Sequence, residues 1–562
     1  MPGSSSPRAD ADPRPVATRP GRGSRTARAA GPAGTVVAGP LAGPLPGAGR
    51  RTGLGPPPGA APWPVALAAV LVAVLTVLPL LIVLPGALAD GWAEAVDYLA
   101  RPRIGKLVGN TGMLIAVTVP AAVVVGTLAA WLVERTALPA AGAWRALLLA
   151  PLAVPSFVSA YAWVTVAPGL TGFGGAALVT TLAYYPFVFL PVAALLRALD
   201  PGDEEVARSL GLSPTAAMVR TVLPRLRPAL SGGALLVALH LLAEYGVLEM
   251  MRFQTFTTAI MQQYAVGFSD TAGSLLASVL VGLCLVALLL DLVARGRRRV
   301  ARLGSGTQRR AVPHRLGAWT VPALAFLAAL VGAALVVPVV TVVRWLLAGP
   351  GPAGLLDGDL LAVTLSTLGL AALGALAATL AAFPGAWLLN RRRSGLTLLL
   401  ERVTFVASSL PGVVIGLALV TLAVTWVRPL YQTVWLVVLA YAILFLPRAM
   451  VSLRAGLAAA PPELSEAARS LGQGGPAVLV RVVLPLMAPA VRTGLVLVAL
   501  AVSTELTATL LLAPTGMDTL ALAFWREASQ LDYAAAAPYA AVMIVLSVPL
   551  TLLLRRQILE EE

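Results

Sequence analysis

The chain has 562 residues, 58% hydrophobic and 12% charged, with a formal net charge of +15. Soluble domains carry about 25% charged residues, so this composition excludes an ordinary soluble enzyme and indicates a polytopic membrane protein. The long Leu, Val and Ala runs also exclude a β-barrel, whose strands would be short and alternating.

Residues 1–62 are rich in Pro, Gly, Ala and Arg and have almost no large apolar side chains. Such a segment cannot bury a core and is expected to be a disordered cytoplasmic tail. It lacks the apolar run and cleavage site of a signal peptide. From residue 63 onward, apolar stretches recur that are long enough to cross a hydrocarbon core of about 30 Å as helices. They are predicted near 64–88, 111–133, 146–166, 176–196, 231–250 and 272–293, then near 319–346, 360–389, 403–426, 433–453, 491–512 and 533–554. The first six fill a half spanning 63–293 and the last six a half spanning 319–556. Between them, residues 294–318 carry GRRRVARLGSGTQRR, a polar linker without apolar periodicity.

Lys106 is the single lysine; every other basic residue is an arginine. Most of the 41 basic residues fall on one side of this topology: the tail, the loops near 134–145, 197–230, 294–318, 390–402 and 454–490, and the C-terminus. Basic residues collect on the cytoplasmic side. Both termini and these loops are therefore expected in the cytoplasm, with the spans in membrane lipid. The same placement argues against nucleic acid as a partner. Cys284 lies alone in an apolar run, so neither an internal disulfide nor a cysteine-based metal site is available.

Two of the basic loops are copies of each other. The first reads EVARSLGLSPTAAMVRTVLPRLRPAL from Glu205, and the second EAARSLGQGGPAVLVRVVLPLMAPAV from Glu466. Glu205, Ala207, Gly211, Leu223 and Pro224 match Glu466, Ala468, Gly472, Leu484 and Pro485 at one spacing; Ala467 stands where the first copy has Val206. The match extends to Ala130-Trp131-Leu132 with Ala386-Trp387-Leu388, Pro155 with Pro411, Phe189-Leu190-Pro191 with Phe445-Leu446-Pro447, and Glu244 with Glu505. Such self-similarity marks a duplicated unit. Six helices per half, each half starting on the same side, predict parallel repeats about an axis along the membrane normal, with a pathway between them. Within each loop, Pro201 or Pro462 and the acidic residues suit a helix start. Gly211 or Gly472 suits a left-handed helix end. A second helix then runs to Leu-Pro. The small Ala207 and Ala468 are expected to admit another surface.

This pattern resembles the EAA…G…LP loop of the membrane permease subunits of ATP-binding-cassette importers. The resemblance covers both halves and implies an all-α type I importer permease of about twelve spans. It also implies that loops 201–228 and 462–489 act as coupling helices docking on two copies of a cytoplasmic ATPase, while an extracytoplasmic binding protein delivers cargo. ATP and magnesium are then expected on the partner chains, with no cofactor and no enzyme site on this one. A P-loop needs Lys followed by Ser or Thr, and Lys106 is followed by Leu107. A finer resemblance, carried by LAVPSFVSAYAW (152–163), YYPFVFLPVAALLRALDPGDEEVARSLG (184–211) and LLAEYGVLEMMRFQTFTTAI (241–260), is to the fused ferric-iron permeases. It implies Fe(III) as cargo. Fused permeases for thiamine and aminoethylphosphonate share the layout, and an ion-coupled secondary transporter is the competing class.

Fe(III) is a hard cation that suits oxygen donors. Glu244 and Glu505 fall at equivalent places in the helix after each loop, with Glu244 expected 13 residues into its span. A carboxylate at that depth faces the bundle interior or water. His240 lies four residues earlier, on the same helix face, and Tyr245 is adjacent. These residues, with Tyr161, Tyr185, Tyr184 and Tyr441, are the candidates for a pathway lining. No metal site proper is assigned. The alternative role for each Glu is a structural hydrogen bond or an ion pair between helices, with Arg448 as a partner.

Overall fold

The computed structural model describes residues 63–264, 270–295, 313–349, 358–391, 395–407 and 409–559. The expected tail, 1–62, and most of the linker lie outside the described residues. In the first half the main helices are α1 (Trp63–Gly86), α2 (Pro102–Arg135), α3 (Ala141–Leu149), α4 (Ser156–Val166), α5 (Gly172–Tyr184), α6 (Pro186–Ala198), α7 (Gly202–Ser209), α8 (Leu223–Ala243), α9 (Gly246–Met250) and α10 (Asp270–Arg295). In the second they are α11 (Thr320–Val331), α12 (Val337–Ala348), α13 (Gly358–Arg391), α14 (Gly395–Ala407), α15 (Gly412–Thr425), α16 (Val434–Ala458), α17 (Pro462–Ser470), α18 (Leu484–Ser503), α19 (Thr507–Leu512), α20 (Leu520–Ser529) and α21 (Tyr533–Leu559). Among the described residues the extended pairing is confined to an isolated parallel bridge between Thr136 and His314.

Among the described residues, nine helices are long and apolar enough to cross a membrane. The pair Ala141–Ala153 and Ser156–Val166 adds a span bent by 92°, and the shorter apolar helices Gly412–Thr425 and Tyr533–Pro549 complete a set of twelve. These twelve answer the predicted spans one for one. Composition explains them: α1 runs 24 residues without a charge, about 36 Å at 1.5 Å per residue, and in lipid a helix satisfies its own backbone.

The structure corrects four predicted spans. Those near 146–166 and 403–426 are broken, because Pro155 and Pro411 each cap a new helix from an extended conformation, with ψ of 139° and 147°. Proline lacks an N–H and disfavours helix in the residue before it, so the chain turns there. The spans near 231–250 and 491–512 stop early, at Ala243 and Ser503. Glu244, with ψ 126°, therefore ends its helix rather than sitting within it.

The halves are interlocked by exchanging their first helices. Ile82 and Val83 of α1 are buried in a core otherwise dominated by the second half, with Ala378, Val414, Leu419 and Tyr441. Ala323, Leu327 and Val331 of α11 are buried in the first half's core, with Leu114, Tyr185 and Val188. A third cluster bridges the halves through Phe157 and Tyr161 of α4 and Leu506, Phe524 and Ala540; the Phe157 and Phe524 rings lie 5.4 Å apart. Lipid offers no hydrophobic drive for helix association, so small residues that let backbones approach carry it. Ala371, Ala375, Ala378, Ala382 and Ala386 supply such a buried stripe on α13, which packs along α16 and α18.

Candidate functional site

The two repeated loops fold alike. In each, a short helix (α7 or α17) ends at a glycine with positive φ, +89° at Gly211 and +80° at Gly472. Gly211 N donates to Arg208 O at 3.0 Å and Leu212 N to Ala207 O at 3.2 Å. Gly472 N donates to Arg469 O at 2.9 Å and Gln473 N to Ala468 O at 3.1 Å. This is the Schellman pattern, in which a left-handed residue lets the last carbonyls find donors. The second helix then widens into a π-turn at Met218–Val222 and at Leu479–Val483. Pro224 and Pro485 follow at once, and a proline ring cannot sit against the carbonyl four residues back. The Leu-Pro pair thus fixes a wide turn at the same place in both copies.

Glu205 and Glu466 are exposed, as are Ala467, Gly211, Gly472, Pro224 and Pro485. Leu223 and Leu484 are marginally exposed. Ala207 and Ala468 are 8% and 9% exposed, so their small size serves packing within the chain itself. The tips expose a residue that sequence reasoning passed over: Leu210 and Leu471 are 80% and 82% exposed. The same exposed leucine precedes the left-handed glycine in both copies. A second missed residue is Glu204, buried just before Glu205.

On the same side of the bundle, Glu134 at the end of α2 receives Arg145 Nε at 3.0 Å and Nη2 at 3.1 Å, and Arg197 Nε at 2.8 Å and Nη2 at 2.7 Å. Its side chain is 1% exposed. The bidentate geometry ties α2, α3 and α6 together. Among the described residues of the second half, this region holds a half-exposed pair, Arg454 Nη1 to Glu401 Oε1 at 2.7 Å.

At the helix breaks the two equivalent glutamates accept backbone hydrogen bonds. Glu244 accepts from Val247 N at 3.0 Å, from Ser156 Oγ at 2.9 Å and from the Tyr184 hydroxyl. Glu505 accepts from Ala508 N at 2.8 Å, Thr509 N at 3.0 Å and Thr509 Oγ1 at 2.6 Å. Each therefore caps the short helix that follows, α9 or α19, as an acidic side chain does at a helix start. The breaks lie against each other: a Cβ on Gly246 would fall 2.7 Å from Phe157 Cβ and 3.3 Å from Leu506 Cδ2. Tyr245 meets Trp525 of the second half, with ring centroids 5.2 Å apart.

His240 packs on Phe187, at 4.3 Å between centroids, and Nδ1 lies 2.8 Å from Leu236 O. Its ring also lies 5.6 Å from that of Tyr184. Tyr161 and Tyr185 are buried, with hydroxyls donated to Tyr533 O at 2.6 Å and Leu148 O at 3.0 Å. Tyr441 pairs with Thr509 Oγ1 at 2.7 Å. Arg448, expected as an ion-pair partner of a glutamate, makes no ion pair among the described residues; its guanidinium lies 5.3 Å from the Phe445 centroid. The glutamates need no such partner because backbone and hydroxyl donors already satisfy them. Beyond the first break, Glu249, Arg252, Gln254 and Gln262 line a cavity of about 230 Å³, and burial raises the Glu249 carboxyl above its usual range. Among the described residues no group of three or more His, Cys, Asp or Glu is placed to hold a metal ion.

A duplicated six-span bundle with interlocked first helices and two loops of like shape defines a transport permease. The chain matches the family model described as "Binding-protein-dependent transport system inner membrane component" over residues 101–300 and 373–558, and it belongs to that family. It is 33% identical over 495 residues to the Fe(3+)-transport system permease protein FbpB 2 of Haemophilus influenzae, covering 88% of this chain and 98% of that one. It is 26% identical over 453 residues to the probable ABC transporter permease protein y4fN of Sinorhizobium fredii, covering 70% and 77%. It is 25% identical over 230 residues to the sulfate transport system permease protein CysW of Escherichia coli, covering 38% and 79%. Membership makes it a multi-pass inner-membrane protein that works with a substrate-binding protein and an ATPase.

Proposed function

We propose that this chain forms the whole membrane pathway of an ATP-driven importer of ferric iron. Two ATPase copies would dock on the two repeated loops in the cytoplasm, where both chain termini also lie, and carry the ATP and magnesium. A binding protein would deliver iron to the opposite face, near the cavity beside Glu249. The observation that carries the reading is the 33% identity over nearly the full length of a ferric-iron permease, together with two loops of one geometry. Closure of the ATPases would rock the halves, and the break-to-break contact of Gly246 with Leu506 would open in turn. ATP and the loaded binding protein would shift this equilibrium through their different affinities for its two states.

In this reading Glu244, Glu505, His240 and Tyr245 stand at the closure rather than along a fixed lining, and Tyr161 and Tyr185 support it from behind. Uptake of radiolabelled iron into vesicles holding the permease, its ATPase and its binding protein tests the reading. ATP-dependent accumulation supports it. Accumulation that ignores ATP and collapses with the proton gradient overturns it in favour of a secondary carrier.

Arg448 favours a second reading of the cargo. A guanidinium without an acidic partner among the described residues suits an oxyanion, and one relative is a sulfate permease. Sulfate uptake in the same vesicles, with no iron uptake, would decide for it.

A further inference from the structure

Buried Glu204 of α7 connects the first loop to the segment that leads into the second half of the chain. Its side chain is 9% exposed. His314 Nε2 lies 3.0 Å from its Oε1, and a carboxylate acceptor there means that Nε2 carries the proton. Arg135 Nη1 lies 3.8 Å from its Oε2. His314 is itself fixed: its N donates to Arg135 O at 2.9 Å, and Ala137 N donates to its carbonyl at 2.9 Å. These bonds form the one isolated bridge of the described residues. Six residues after His314 begins α11, the helix that the second half lends to the first half's core. One carboxylate thus joins the first loop, the end of α2 and the entry to the second half.

The second loop has no such carboxylate. The position equivalent to Glu204 is Ser465, also buried, which is neutral and too short for an ion pair. The contact in the first loop is also incomplete. Arg135 is 4% exposed, yet its Nε and Nη1 have no hydrogen-bond partner among the described residues. Unmade bonds on a buried guanidinium are costly. A shift of α7 by about 1 Å toward α2 would bring the Arg135–Glu204 contact to ordinary hydrogen-bond length.

We propose that Glu204 is a positioning residue through which the first loop, and not the second, hands ATPase motion directly to the segment that enters the second half, with Arg135 and His314 as its two anchors. Closure of the ATPases presses α7 toward α2, tightens the Arg135–Glu204 contact and pulls the His314 segment with it. The second loop moves its own half only, so the two loops are unequal in effect although alike in shape.

This rests on the permease reading above, and the test separates the two. The importer is assembled in vesicles from this chain, its ATPase and its binding protein, and cargo moved per ATP hydrolysed is measured for wild type, Glu204→Ser, His314→Ala and Ser465→Ala. Glu204→Ser gives the first loop the residue of the second. Glu204→Ser and His314→Ala are expected to lower cargo per ATP about tenfold, the scale of one lost charge-assisted hydrogen bond, with ATP still hydrolysed. Ser465→Ala is expected to leave the ratio unchanged. A purely structural role would lower both rates together and leave the ratio intact, which overturns the proposal. Equal effects at Glu204 and Ser465 also overturn it. If Glu204→Ser fails to assemble, His314→Ala, which leaves the loop's own residues intact, decides. A wild-type complex that hydrolyses ATP but moves neither iron nor sulfate sinks the cargo reading instead.

Discussion

Replacing Glu244 and Glu505 one at a time by Ala separates two kinds of capping. The carboxylate of Glu244 collects donors from three elements: Val247 N at 3.0 Å from α9, Ser156 Oγ at 2.9 Å from α4 and the Tyr184 hydroxyl from α5. Hydrogen bonds to charged groups contribute about 1.5–3 kcal/mol each, and the lost bonds share one acceptor, so their sum is not additive. Glu244→Ala, which also orphans buried donors, is expected to cost about 3–5 kcal/mol. The donors to Glu505 come from the helix it caps, among them Ala508 N, Thr509 N and Thr509 Oγ1. Glu505→Ala is therefore expected to cost what a lost helix cap costs, about 0.5–2 kcal/mol. The assay is the temperature at which half of the purified permease leaves the monodisperse peak after heating in detergent. Multi-span proteins seldom unfold in two states, so the ranking carries the test: Glu244→Ala must fall clearly below Glu505→Ala. Equal shifts, or a larger one for Glu505→Ala, would refute the reasoning from donor origin.

Other substitutions probe the same physics elsewhere. Gly211→Val and Gly472→Val place a β-branched residue at positive φ, a strain of about 1–2 kcal/mol; pull-down with the ATPase is expected to weaken for each, although nothing lies within 4 Å of either site. Glu134→Gln breaks a buried carboxylate shared by two arginines and is expected to cost about 3–5 kcal/mol. Glu401→Gln, at the half-exposed pair, is expected to cost under about 1 kcal/mol; the same heating assay ranks the two. Gly246→Val overfills the contact with Phe157 and Leu506, for about 1–3 kcal/mol. It is expected to raise labelling of a cysteine placed at Tyr245 by an impermeant thiol reagent added from outside.

Span number and the repeat were legible in the sequence because both rest on local signals: apolar length, and a motif copied at fixed spacing. The left-handed ends at Gly211 and Gly472 were legible for the same reason, since a glycine after a short polar helix has few other uses. The early stops at Glu244 and Thr504 were not. Hydropathy continues through Leu248 and through Leu512, and only the donors that gather on each carboxylate reveal the break. The Pro155 and Pro411 bends were visible as prolines but not as turns, because a proline also occurs inside a continuous helix, as Pro120 does in α2. Glu204 escaped notice beside Glu205 because nothing in the motif distinguishes them; burial by a histidine 110 residues away does. Arg448 was assigned to an ion pair on charge alone, and satisfied glutamates left it none to make.

The most direct measurement is the mass of the assembled complex. The purified chain is mixed with its ATPase and analysed by native mass spectrometry, for wild type and for Glu205→Arg and Glu466→Arg singly and together. The account predicts two ATPase copies per chain, one after either single change and none after both. Two copies retained with both loops altered would contradict it.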